Sequence, residues 1–348
     1  RTTYREHTDT ENILKLRHVL STLPAFCKDY FRAIDSTTTT KTRISYAYDI
    51  RIFFQFLLDE NPAFKNYAMT DFSVEILDQI KAVDLEEYME YLKVYQNGDK
   101  TETNGERGLK RKISALRSFY AYYYKREMIH TNPTVLIDVP KIHDKSIIRL
   151  DTDEVALLLD YIEHCGDSLT GQKRVYYEKT KERDLAIVTL LLGTGIRVSE
   201  CVGLDIEDVD FKNNGIKVTR KGGNEMVVYF GEEVEKALKR YLEVRAGITP
   251  LAGHEHALFY SAQRKRMGVQ AVENMVKKYS RQITTTKKIT PHKLRSTYGT
   301  ALYQETGDIY LVADVLGHKD VNTTKKHYAA LDDARRRQAA TAVKLREE

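Results

Sequence analysis

The stretch TPHKLRSTYGTALY, Thr290 to Tyr303, followed by VLGHKDVNTTKKHY, Val315 to Tyr328, decides the reading of this chain. Thr290-Pro291 is a helix start, with threonine at the N-cap and proline at the first helical position. His292 and Arg295 lie three residues apart, so they share one helical face. Both fall in the first turn, where the helix dipole favours an anion. Asp308 caps a further helix, IYLVADVL, which stops at Gly317. His318 and Tyr328 follow within a few residues.

Two segments farther back complete the set. GTGIRVSE at 193–200 ends a buried apolar run and supplies Arg197 and, one turn on, Glu200. TRKGGNE at 219–225 places Lys221 before a glycine turn. Two arginines offer planar, bidentate donors suited to phosphate oxygens. Two imidazoles add further donors, and a lysine in a tight turn can protonate a departing alkoxide. A phenol with an ordinary pKa of about 10 is a poor nucleophile until cations or a base assist it. The set suits opening of a phosphodiester through a phosphotyrosine, with neither metal nor cofactor. Taken singly, each residue has an ordinary use: a solvated charge, a hairpin lysine, a glycine-histidine helix end, a packed tyrosine. Their order and spacing together carry the reading.

The whole chain sets the frame. Its 348 residues suffice for two domains, and 42% hydrophobic with 30% charged residues is normal for a globular protein. A net charge of +5 permits a nucleic-acid partner without requiring one. Three widely spaced cysteines, Cys27, Cys165 and Cys201, argue against a disulfide framework and fit a reducing cytoplasm. No apolar run reaches membrane-spanning length, so no membrane partner is expected. The 23 tyrosines are expected to serve mainly in packing.

Periodicity predicts helices over the first 140 or so residues, at 11–34, 42–60, 83–96 and 108–128, with the Ser/Thr run 36–40 as a polar loop and capping region. Asn97-Gly98 is read as the turn that ends the third helix. Residues 141–154 are expected to link this domain, 1–140, to a second, 155–348. In the second, Asp151 or Thr152 caps a helix and 164–182 reads as a charged loop. Residues 208–230 alternate around two glycine turns, as in a three-stranded antiparallel meander. Helices resume to the end, including the tail after Tyr328. The fold class expected is mainly α with a small antiparallel β-sheet.

The arrangement resembles the tyrosine recombinase, or phage integrase, family, and is most similar to its Xer and conjugative-transposon branches. TGIRVSE resembles the first arginine box, TPHKLRSTYGTAL the His-x-x-Arg box, and LGHKDVNTTKKHY the final histidine-to-tyrosine box. The resemblance spans essentially the whole chain. It implies a helical core-binding domain and a catalytic domain closing as a C-shaped clamp on duplex DNA. It implies that Arg197 and Arg295 hold the scissile phosphate, with His292 and His318 as further donors. Lys221 would be the general acid for the 5′-oxygen, Tyr328 the nucleophile that forms a 3′-phosphotyrosine, and Glu200 the supporting acid. It further implies paired recombination sites, a homo-tetramer with one dimer per site or a related recombinase as partner, a Holliday junction intermediate, and a bacterial, nucleoid-associated setting. Basic runs suited to the DNA backbone are Lys110, Arg111 and Lys112, and Arg264, Lys265 and Arg266, with Arg43 and Tyr46 as weaker candidates. The C-terminal tail would dock into a neighbouring subunit.

Two other functions share parts of this residue set. A type IB topoisomerase-like nicking-closing enzyme uses the same chemistry, but the short C-terminal box argues against it. A DNA-binding regulator with a degenerate site is disfavoured because all six expected catalytic positions are filled.

Overall fold

The computed structural model describes residues 3–143, 147–220, 222–328 and Ala342. The chain divides into two compact units, Arg1–Asp144 and Lys145–Glu348.

The first unit is built on helices α1 (Tyr4–Ser21), α2 (Cys27–Ala33), α3 (Thr40–Glu60), α4 (Ile76–Gln79), α5 (Ala82–Lys93) and α6 (Glu106–Lys125). The helical stretch 11–34 is interrupted at Pro24, whose missing N–H cannot continue a helix. Thr39, from the Ser/Thr run, caps α3, its Oγ1 accepting from Thr42 N at 3.2 Å. The third helix stops earlier than its periodicity suggests. α5 ends at Lys93, and Val94–Asn97 is strand β1, paired antiparallel with β2 (Lys100–Thr103). Gly98, at φ +61, is therefore a hairpin turn rather than a helix stop. Pairing with β2 decides this, and of the four β1 residues only Tyr95 turns inward.

Aromatic rings fill the core of this unit. Phe119 lies 5.3 Å from Tyr30 and 5.0 Å from Tyr123, both edge-on. The inward tyrosines place their hydroxyls on acceptors: Tyr120 on Leu77 O at 3.1 Å, Tyr123 on Phe26 O at 2.7 Å. Packing thus accounts for much of the tyrosine excess.

The second unit begins with α7 (Thr152–His164), where Asp151 is the N-cap and its N–H donates to Glu154 Oε2 at 2.8 Å. Most of the segment expected to be a loop is helix. α8 runs Gly171–Thr194, and only 165–170 precede it. Its polar half is anchored by buried Tyr177, whose hydroxyl donates to Ile162 O (2.9 Å) and Glu163 O (2.7 Å), and by buried Thr180. One inward residue per turn is enough, while the charges face solvent.

α8 is the central helix, with α7, α10 (Glu232–Ala246) and α12 (Pro291–Thr306) packed on it. Short α9 (Val198–Gly203) leads into the meander β3 (Val209–Asp210), β4 (Gly215–Thr219) and β5 (Glu225–Tyr229). The strands are antiparallel in that order, with Ile216 opposite Val228. Then come α11 (Val269–Ser280), α13 (Ile309–Leu316) and α14 (Val321–Tyr328). The fold is mainly α with small antiparallel sheets. Among the described residues no helix is long and apolar enough to cross a membrane. The tail beyond Tyr328, apart from Ala342, lies outside the described residues.

Candidate active site

Three helix ends meet at one place in the second unit, and each brings its side chains there for a local reason. α8 terminates at Gly195 in the left-handed region, φ +64. A Cβ on Gly195 would lie 2.3 Å from the Tyr298 ring, so glycine lets this turn press against α12. Two residues on, Arg197 is the N-cap of α9. Its N–H donates to Glu200 Oε2 (2.8 Å) and its Nη1 to Glu200 Oε1 (2.9 Å). Glu200 is only 4% exposed, so a shielded carboxylate fixes the direction of a half-exposed guanidinium.

α12 starts at Pro291 with Thr290 as N-cap. The threonine hydroxyl makes no capping bond; its carbonyl takes the N–H of Lys293 and Leu294 instead. Arg295 is buried, at 5% exposure, yet among the described residues no carboxylate is hydrogen-bonded to it. Its Nη1 donates to Gly195 O at 2.6 Å and its Nη2 to Leu316 O. Burial and the nearby Arg197 bring its pKa down to about 10. A guanidinium aimed by neutral carbonyls keeps its full charge for an incoming anion.

α13 ends at Gly317, φ +66. His318 follows, its N–H on Ala313 O (2.9 Å) and its Nδ1 2.6 Å from Oγ1 of fully buried Thr324 on α14. Burial, then Arg295 and Arg197, hold the His318 pKa down to about 4, so the ring is neutral at physiological pH. His292 reaches the surface one turn before Ser296. Partial desolvation and the cations Lys293, Arg295 and Arg197 lower its pKa as well.

Tyr328 closes the arrangement from the same chain. It is 2% exposed and packs beside the Tyr303 ring, centroids 6.3 Å apart. Its hydroxyl rests on Gly299 of α12, where a Cβ would lie 1.9 Å from the phenol oxygen. Gly299 is one helical turn after Arg295, which brings phenol and guanidinium within electrostatic reach. Burial pushes the phenol up to about 12, while Arg295 acts against that shift. His327 joins the site too, its Nε2 3.3 Å from Ser296 Oγ. Among the described residues no group of three or more His, Cys, Asp or Glu side chains is arranged to hold a metal ion.

Arg197, Glu200, Arg295, His318 and Tyr328 are thus brought together, with His292 at the edge. Lys221 lies outside the described residues. Sequence reasoning named Arg220, with Lys212 and Lys217, only as a neighbour competing with Lys221, missed Ser296 and Thr324, and gave His327 no role. The one available signal for Arg220 was its place in the basic pair before Gly222.

The residues expected on DNA separate into two groups. Lys110, Arg264 and Lys265 are exposed. Arg111 is exposed but ion-paired with Asp49. Lys112 is buried at 7% exposure, 3.7 Å from the same carboxylate. Arg43 is ion-paired with Asp35 and Tyr46 is half-buried against the core. Arg266 turns inward onto Val202 O (3.0 Å), Leu204 O (2.8 Å) and Asp205. Lys112 and Arg266 therefore act as internal braces here, because each is held by acceptors of its own unit.

Known proteins with the same features bear on this geometry. The model of the phage integrase family matches residues 149–335. Tyrosine recombinase XerC of Caldanaerobacter subterraneus subsp. tengcongensis is 33% identical over 328 residues, 92% of this chain and 86% of that protein. Tyrosine recombinase XerS of Lactococcus lactis subsp. cremoris is 31% identical over 340 residues, 90% of this chain and 93% of that one. Among solved structures, the Tn1549 transposon integrase in complex with circular intermediate DNA superposes with a TM-score of 0.63. It shares 21% identity and covers 90% of this chain and 98% of that one. The lambda integrase dimer bound to a core site gives 0.61 at 16% identity, over 87% and 94% of the two chains. At those identities the likeness is one of fold.

Proposed function

We propose that this chain, which belongs to the phage integrase family and is a tyrosine recombinase, cuts and rejoins duplex DNA at paired recombination sites through a covalent link to Tyr328. In this reading Arg197 and Arg295 grip the non-bridging oxygens of one phosphodiester, and His292 and His318 donate to the same group. The phenol of Tyr328 gives up its proton to solvent as its oxygen attacks phosphorus, forming the tyrosyl–phosphate bond while the bond to the 5′-oxygen breaks. Lys221 delivers the proton that the departing 5′-oxygen takes up. The 3′-phosphotyrosine conserves the bond energy, so a 5′-hydroxyl from the second duplex reverses the step and joins the strands. Two such exchanges, separated by a Holliday junction, complete recombination without a nucleotide cofactor.

Residues 1–140 serve in this scheme as the core-binding domain and 155–348 as the catalytic domain. A dimer occupies each site and two dimers form the tetramer, with a related recombinase as a possible second subunit type. A bacterial cytoplasmic enzyme working on the nucleoid is consistent with three free thiols and with the Xer relatives.

The observation that carries the reading is Arg295: buried, aimed by two carbonyls, hydrogen-bonded to no carboxylate among the described residues, and one turn from the seat of a phenol. The test is covalent capture. Full-length protein is mixed with a pool of nicked duplexes that lose the short strand after cleavage, and adducts are isolated in detergent and sequenced. Wild-type protein should yield adducts on one family of sequences, and Tyr328→Phe none. Equal adduct yield from the phenylalanine variant defeats the proposal.

A further inference from the structure

We propose that Arg220 is a third phosphate-binding arginine, presenting Nε and Nη1 to a non-bridging oxygen of the phosphodiester that Tyr328 attacks. This rests on the function proposed above and adds a residue to it. Arg220 follows β4, and its side chain reaches the C-terminal end of α13, where Nη2 donates to Val315 O at 2.6 Å. Arg295 donates to the next carbonyl, Leu316 O. Two guanidinium groups thus sit on consecutive carbonyls at one helix end, where the dipole favours cations. Gly317 makes room for the closer one. A Cβ there would lie 2.0 Å from Arg220 Nη1 and 2.6 Å from its Cζ.

The remaining donors are the informative ones. Nε and Nη1 of Arg220 are shielded from solvent and, among the described residues, have no hydrogen-bond partner. An arginine that only braced α13 would leave its other donors in water or on a carboxylate. Here they are neither. Glu200, the first acid to act on Arg220, is already bonded twice to Arg197. Arg220 lies within electrostatic reach of Arg197, Arg295 and His318, the groups assigned to the phosphate. Idle, shielded guanidinium donors among other cations fit an oxyanion, and a tetrahedral phosphate oxygen has the lone pairs to accept them.

The experiment compares single-turnover adduct formation by the full-length wild type, Arg220→Ala and Arg220→Lys on two nicked duplexes of the captured sequence. One carries the ordinary phosphate at the cleavage position, the other a methylphosphonate, in which a neutral methyl group replaces one charged oxygen. On phosphate, Arg220→Ala should be slower by about 100-fold, the scale of one lost transition-state donor. On methylphosphonate that deficit should shrink to about 10-fold or less, because the charge that Arg220 meets is gone. Arg220→Lys should fall between, keeping the charge but not the fork. It also carries the comparison if the alanine variant does not fold. An equal deficit on both duplexes would make Arg220 a helix brace only and overturn the proposal, as would no deficit on either. If the wild type itself forms no adduct, the Tyr328 chemistry falls and takes this proposal with it. Reaction by the wild type with equal deficits removes Arg220 alone.

Discussion

Acidification should loosen the second unit through His318 before its carboxylates titrate. In the folded chain this imidazole is held down to about 4, by burial first and then by Arg295 and Arg197, against an ordinary value of 6.5. A base whose folded pKa is depressed resists protonation only while folded. Below 6.5 the unfolded chain therefore takes up the proton first. The stability contributed by the neutral ring is intact above 6.5 and is lost as pH falls toward 4. Linkage over pH 7 to 5 gives about 1.8 kcal/mol for a fully shielded ring, and partial solvent contact halves this to about 1 kcal/mol. For a unit of this size that corresponds to about 2–4 °C in melting temperature. His292 and His327 are shifted the same way and add to the slope. The assay is urea or thermal unfolding of the full-length protein at pH 7 and pH 5, with His318→Asn alongside. Wild type should lose about 1 kcal/mol more than the asparagine variant over that interval. Parallel pH slopes would refute the electrostatic account of the site.

Two further outcomes follow from buried contacts. Gly299→Ala places a methyl group 1.9 Å from the Tyr328 oxygen, so the phenol must leave its seat. Overpacking should cost about 1–3 kcal/mol in unfolding measurements. The Tyr328 phenol should then titrate nearer 10 than 12, and an unchanged titration and melting point would count against the described seat. In the first unit, Asp49→Ala strands Arg111 and buried Lys112 without their common carboxylate. A loss of about 2–4 kcal/mol is expected from denaturant midpoints, and a change under about 0.5 kcal/mol would show that the pair braces nothing.

Much of the second unit was legible because its elements obey local rules. Thr290-Pro291, Asp308 and Gly317 mark helix ends by backbone chemistry alone, and the structure places ends there. The meander was legible from alternation between 208 and 230. Residues 171–182 were misread because a mostly solvated helix face has the composition of a loop; only Tyr177 and Thr180 reveal the inward side, and their partners lie on α7 and within α8 itself. Val94–Asn97 was misread because four residues cannot establish a period, and pairing with Lys100–Thr103 decided it. The gathering of Arg197, Arg295, His318 and Tyr328 was legible in motif order. What motif order could not convey is that Arg295 is held by carbonyls, that Thr324 engages His318, or that Lys112 faces inward. Those depend on which peptide oxygens and side chains tertiary packing brings near, and no spacing in the chain encodes them.

The anchoring of Arg295 has a practical consequence. Peptide oxygens steer a cation without quenching it, so the Arg295 guanidinium is expected to attract small oxyanions. Sulfate or phosphate should therefore slow DNA cleavage more than acetate does at equal ionic strength, because a tetrahedral, multiply charged anion matches the expected phosphate position better than a flat, singly charged one.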